Sequence, residues 1–322
     1  MLFGAATPTT KLVVGNLNAF VLAGLLYVGA AVAVFPFARR EPWSLGTRGQ
    51  RSRLLLAVGV GGGLAPILLV LALHRTPAGT VSLLLNLELV ATVVIARLFL
   101  QEHIGRRAGL GIVIVVLGGV ILAGTAGGGI AVGAVLVAAT CVCWGIDNAI
   151  TASLDTYTPS QITFVKGMVA GTVNLLIGLA VEGIPGLRYV LAALLIGALG
   201  YGLSITMWIT GARLVGAARG QVIFALAPFI GALLAWPVNG DRLTVRTLAA
   251  FVVFLGGVLV VATSHHAHRH RHTVMAHSHP IDPADPHHAP AVIEVLSGTQ
   301  HRHLEFEHEH EHLPDIHHRH TH

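Results

Sequence analysis

The sequence predicts an all-α membrane protein of ten transmembrane helices, the first one truncated, folded as two inverted five-helix repeats and followed by a disordered tail. Three observations predict it. Of 322 residues 54% are hydrophobic and 11% charged, against roughly 25% charged in an ordinary soluble domain. Nine apolar runs are each long enough to cross a bilayer. The pattern of the first half also returns after about 140 residues.

A hydrocarbon core of roughly 30 Å takes about 20 helical residues to cross, because backbone polar groups find no water there. The stretch Leu2 to Val14 is too short for this alone and contains Pro8 and Lys11. With no basic residue ahead of its apolar part it is a poor signal peptide. It reads as the second half of a first helix whose start lies outside this chain. The full-length runs are Leu17 to Phe37, Leu54 to Leu73, Ala78 to Leu100, Ala108 to Thr125, Ile130 to Leu154, Pro159 to Val181, Val190 to Thr210, Ala217 to Val238 and Val245 to Thr263. Cys141 and Cys143, two apart in one of these runs, point about 200° apart on a helix. They neither bridge each other nor form a thiolate zinc site.

Leu117-Gly118-Gly119-Val120 recurs as Leu255-Gly256-Gly257-Val258, and Gln101-Glu102-His103-Ile104 matches Gly240-Asp241-Arg242-Leu243. Phe3-Gly4 likewise aligns with Trp144-Gly145. The first repeat therefore takes residues 1–125 and the second 126–263. Five helices per copy is an odd number, so the copies are expected to insert in opposite orientation. If the N-terminus is cytoplasmic, Arg39, Arg40, Arg48, Arg51, Arg53, Arg106, Arg107, Arg213 and Arg219 fall on that side. Only Arg75, Arg188, Arg242 and Arg246 fall on the other. The positive-inside tendency favours this orientation and a cytoplasmic C-terminus, in the inner membrane if the source is bacterial.

These residues resemble the drug/metabolite transporter superfamily, in its EamA-type ten-helix branch. The resemblance rests on Thr76-Pro77-Ala78 through Leu87-Glu88-Leu89, Glu102 and Gly118-Gly119 in the first copy. In the second it rests on Gly216-Ala217-Ala218-Arg219, Ala227-Pro228-Phe229-Ile230 and Gly240-Asp241-Arg242-Leu243-Thr244. It covers residues 2 to 263. Family repeats often carry a Glu-Pro pair in the fourth helix, whereas here Glu88 lacks the Pro and Pro228 lacks the Glu. The resemblance implies a secondary transporter that exports a small organic metabolite, amino acid or drug by alternating access, and not an enzyme.

An ionised side chain at mid-membrane costs about 2.5–3.5 kcal/mol on insertion scales, so a retained one is paired, wet or functional. Glu88 lies near the middle of its run. It either binds a proton or a cationic group in a central cavity, or packs the two halves together. Trp144 offers an aromatic wall to a ligand, and Asp147 and Asn148 follow it as cavity groups or interhelical hydrogen bonders. Lys166 either meets an anionic group or Glu88, or snorkels to the interface. Trp208 and Gln221 are candidates to line a cavity. Pro66 and Pro228 each free a carbonyl and bend a helix, as hinge or as static kink. The spacings Gly105 to Gly109, Gly167 to Gly171 and Gly216 to Gly220 fit small-xxx-small packing, within the chain or between two copies as a homodimer.

Residues 264–322 are physically different. Of the 20 histidines in the chain, all but His74 and His103 lie here, and acids outnumber Lys and Arg. His265, His266, His268, His270 and His272 begin the tract. His308, His310 and His312 alternate with Glu307, Glu309 and Glu311, and His317, His318, His320 and His322 end it. Neutral imidazoles beside carboxylates suit Zn²⁺, Ni²⁺, Co²⁺ or Cu²⁺. The histidines would also make the tail more basic in mild acid. No cofactor is required by this reading, and the expected partners are a small-molecule solute and the lipid bilayer. Nucleic acid is excluded, since the Lys and Arg outside the tail sit mostly between apolar runs. Two further readings remain open: export of a divalent transition metal captured by the tail, and a metal-responsive membrane regulator.

Overall fold

A computed structural model describes residues 2–100, 105–123, 128–152, 154, 156–215, 223–263, 267–272, 275–278, 293–297, 300–303 and 306–311. Its contacts divide it into two units, Met1–Ser264 and His265–His322. In the first, the described residues form α1 (Leu2–Val13), α2 (Ala19–Ala38), α3 (Arg48–Arg75), α4 (Ala78–Leu84 and Leu87–Leu100) and α5 (Arg106–Ala123). The second half gives α6 (Gly128–Ala152), α7 (Pro159–Glu182), α8 (Leu187–Ile196, Gly197–Leu203 and Ser204–Val215), α9 (Ala227–Asn239) and α10 (Val245–Ala262). Eight of these are long and apolar enough to cross a membrane, and α9 is a shorter apolar helix. The chain is an integral, multi-pass membrane protein of the predicted ten-helix class.

Local signals set the helix ends. Asn18 caps α2, its side chain accepting from the Val21 N–H at 2.8 Å. Thr47 and Gln50 form a capping box, so α3 starts at Arg48, well ahead of the apolar run expected from Leu54. Thr158 and Gln161 repeat that box at α7, with Pro159 in the first helical position where its missing N–H is harmless. Gly240 closes α9 in the left-handed region at φ 69°.

The duplication is visible in the irregularities. A π-helical stretch interrupts α3 at Val58–Leu64, and another interrupts α8 at Gly197–Leu203. A turn at Leu85–Asn86 breaks α4, and a turn at Ala225–Leu226 precedes α9. Both pairs are separated by about 140 residues. Pro66 follows the π stretch inside α3, and Pro228 sits in the first turn of α9, where no intrahelical donor is lost.

Glycines let the helices approach. Gly24 meets Leu175, while Gly167 and Gly171 lie on Tyr27 and Val28, so α2 and α7 pack backbone to backbone. This places the Gly167 to Gly171 spacing inside the chain. A Cβ on Gly105 or Gly109 would meet nothing within 4 Å, and Gly216 to Gly220 lies outside the described residues. Gly167→Ala is therefore expected to destabilise by about 1–3 kcal/mol through overpacking. Gly109→Ala should be neutral or gain up to about 1 kcal/mol of helix propensity. Thermal unfolding of the detergent-solubilised variants checks the contrast.

Residues His265–His322 form the second unit. Its described residues form β1 (Ala267–His272), β2 (Met275–Ser278), β3 (Ile293–Ser297), β4 (Gln300–His303) and β5 (Phe306–Glu311). β1 pairs antiparallel with β5, and β4 lies between β2 and β3, antiparallel to both. His alternates with Arg in β1 and with Glu in β5, a period of two that suits strands.

Candidate functional site

Four residues of α6 build one wall of a cleft. Trp144, Asp147, Asn148 and Thr151 follow the i, i+3, i+4, i+7 rule and so share a helix face. Ile205, Trp208 and Ile209 of α8 repeat that logic on the facing side, and Lys166 enters from α7. The first repeat adds Phe3 from α1, Tyr27 from α2 and Glu88 from the second stretch of α4, and Phe224 completes the lining. The cleft has about 420 Å³ of empty space, open solvent included.

Two polar pairs organise it. Lys166 Nζ reaches Asp147 Oδ2 at 2.5 Å, and both residues are buried, at 3% and 6% exposure. Thr151 Oγ1 donates to Asp147 Oδ1 at 3.2 Å. Asn148 Nδ2 donates to Glu88 Oε1 at 2.8 Å and also lies 3.4 Å from Thr92 Oγ1. Lys166, expected to meet an anionic group or Glu88 or to snorkel, is bonded instead to Asp147. The interfacial alternative for Lys166 is overturned by its burial.

The π stretch of α3 supplies acceptors that a regular helix would consume internally. Gly61 O receives Tyr27 OH at 2.9 Å and Trp144 Nε1 at 3.3 Å, and Gly63 O receives Asn174 Nδ2 at 3.1 Å. A Cβ on Gly61 would collide with the Asp147 carboxyl, so only glycine lets α3 and α6 meet here. Around these groups Phe3 packs on Trp144 at 5.7 Å and on Phe224 at 4.7 Å, and Trp208 packs on Phe224 at 5.9 Å. Trp208 Nε1 is buried and has no hydrogen-bond partner among the described residues.

The opposite end of α6 is laced shut. Lys11 Nζ donates to the Leu73 carbonyl and to Thr76 O at 3.1 Å. Asp241 Oδ2 accepts from Gly79 N at 2.7 Å, and Asn239 Nδ2 donates to Pro8 O at 3.0 Å. The acidic residue that ends the α9 motif thereby ties the second repeat to the start of α4. Its counterpart Glu102 lies outside the described residues.

A cleft shared by two copies of a five-helix unit invites comparison with known proteins, and the model of the EamA-like transporter family matches residues 1–124 and again 131–263. The chain belongs to the EamA-like transporter family. It is similar to an uncharacterized transporter of Methanothermobacter thermautotrophicus, 24% identical over 285 residues, covering 80% of this chain and 82% of that protein. A protein of known crystal structure shares the fold at a TM-score of 0.62 and 17% identity, over 81% of this chain and 96% of the other.

In this EamA-like transporter, Glu88, Trp144, Asp147, Asn148, Lys166 and Trp208 come together around the cleft. Pro228 is buried in α9 and is not among the lining residues. Gln221 lies outside the described residues. Sequence reasoning missed Phe3, Tyr27, Thr151, Ile205, Ile209 and Phe224 as lining residues. Thr151 was findable as the next turn of the Trp144 face. Tyr27 was findable as the repeat partner of Lys166, about 140 residues ahead. Among the described residues no three His, Cys, Asp or Glu side chains come together as a group able to hold a metal ion.

Proposed function

We propose that this transporter exports a small organic solute bearing a protonated amine, an amino acid or amine-type drug among them, by alternating access between its two repeats. The observation that carries the reading is the lining of the cleft, where two carboxylates face one ammonium within walls of Trp144, Trp208, Phe3 and Phe224. Such a site attracts a cation twice, through the carboxylates and through the negative faces of the rings. Glu88 is the group for the solute's ammonium, with Asn148 fixing its orientation, and the indole N–H of Trp208 offers a donor to a carboxylate or hydroxyl on the same solute. Both repeats contribute lining residues, so a rocking of one against the other exposes the cleft to each side in turn. The closed end laced by Lys11 and Asp241 is the gate that opens in the second state. Loop charges support a cytoplasmic C-terminus and loading from the cytoplasm, and a proton on Glu88 is the coupling ion.

A matched panel tests the substrate class. Primary amines, their neutral N-acetyl counterparts and carboxylates of similar size are each added to the purified protein, and thermal stabilisation is read. Amines are expected to raise the unfolding temperature, and to exchange across vesicles in counterflow, while the other two sets leave both unchanged. Equal stabilisation by the neutral set would overturn the charge-based reading.

A further inference from the structure

Corresponding residues of two copies related by an approximate two-fold axis touch each other only near that axis. Phe3 of α1 and Trp144 of α6 hold corresponding places about 140 residues apart, and their rings meet edge to face with centroids 5.7 Å apart. A second pair of contacts marks the same axis. A Cβ on Gly61 of α3 would collide with the Asp147 side chain of α6. A Cβ on Gly200, its counterpart in the π stretch of α8, would collide with Ala6 of α1, the counterpart of Asp147. Phe3 therefore stands at the centre of the two-repeat plan. It is 6% exposed and lines the cleft, and besides Trp144 it packs on Tyr201 at 5.8 Å and on Phe224 at 4.7 Å. We propose that Phe3 is the specificity-determining residue of the cleft, its ring setting the size limit on the apolar part of a bound amine. The amine is taken from the solute reading above, whereas the limit follows from packing alone. Phe3 differs from its neighbours in how it is held. Trp144 Nε1 donates to Gly61 O at 3.3 Å and Tyr27 OH donates to the same carbonyl at 2.9 Å, so hydrogen bonds fix both rings. Phe3 has no polar side-chain atom, and its ring is held by contacts. The backbone of α1 is fixed beside it, because Gly4 lies against Ala227 and Ile230 of α9 with no room for a Cβ. Shortening Phe3 thus leaves a hollow that neither Trp144 nor α1 is free to fill. An apolar hollow of this kind stays dry and takes up an apolar group of matching size.

The test reads a ratio of affinities. The full-length parent, Phe3→Leu and Phe3→Ala are titrated in detergent with a small amine, propylamine, and a bulky one, naphthylmethylamine, and with the N-acetyl derivative of each. Dissociation constants are taken from the rise in unfolding temperature. The affinity for the bulky amine relative to the small one should increase by about tenfold or more in Phe3→Ala, the discrimination that a single methylene commands in an apolar pocket. Phe3→Leu should fall between parent and Ala variant. It keeps an apolar filling and carries the test where the Ala variant does not fold. A ring that serves packing alone would, on removal, weaken both amines alike, so an unchanged or smaller ratio in the variants overturns the proposal. The N-acetyl pair keeps the two readings apart. Neutral compounds that stabilise as well as the amines overturn the charge-based reading, and the bulky-to-small ratio within them still decides the role of Phe3.

Discussion

Replacing Lys166 with Ala is expected to destabilise the transporter by about 3–5 kcal/mol, because the partner carboxylate stays behind as an uncompensated buried charge. The environment leaves Asp147 no escape. It is 6% exposed, held by Thr151, and pressed against the backbone at Gly61. Asp147→Ala should cost a similar amount by stranding the ammonium of Lys166, which is 3% exposed. The double variant Asp147→Asn with Lys166→Met removes both charges and keeps the shapes. Its stability should return close to that of the parent, since a buried ion pair is worth little against a neutral replacement of similar volume. Unfolding temperatures of the four proteins, read by tryptophan fluorescence, make the comparison. Two single variants as stable as the parent would show that the pair does not tie α6 to α7.

The same pair shows what sequence can carry. Trp144, Asp147 and Asn148 were legible as neighbours on one face of α6 through helical periodicity, whereas the partner of Lys166 was not: the sequence offered Glu88, and the structure pairs it with Asp147. Glu88 was legible as a carboxyl with apolar neighbours on both sides. What could not be read was backbone irregularity. The π stretch at Val58–Leu64 frees Gly61 O and Gly63 O, and these carbonyls fix Tyr27, Trp144 and Asn174. A run of glycines suggests a weak point in a helix but does not say which register it will adopt. Small-residue spacing was equally silent on partners: Gly167 and Gly171 pack on α2 while Gly105 and Gly109 meet nothing.

Glu88→Gln is expected to abolish gradient-driven transport while leaving the protein folded and abundant. The substitution is nearly isosteric, and the retained carbonyl oxygen still accepts from Asn148 Nδ2, which lies 2.8 Å from Oε1 in the parent. Folding therefore has little reason to change. Function does, because a hydrogen bond to a charged group is worth about 1.5–3 kcal/mol. Losing it from the solute's ammonium weakens binding by roughly 10- to 150-fold. The experiment is efflux of a labelled amine from proteoliposomes with an imposed pH gradient, alongside counterflow with no gradient. Loss of both activities identifies Glu88 as the solute's anchor. Loss of the gradient-driven activity alone, with counterflow intact, identifies it as the proton carrier, because exchange of solute for solute needs no proton to cross. Undiminished efflux in the first assay removes Glu88 from the mechanism. The ion pair beside it then becomes the remaining charged group in the cleft for a solute to meet.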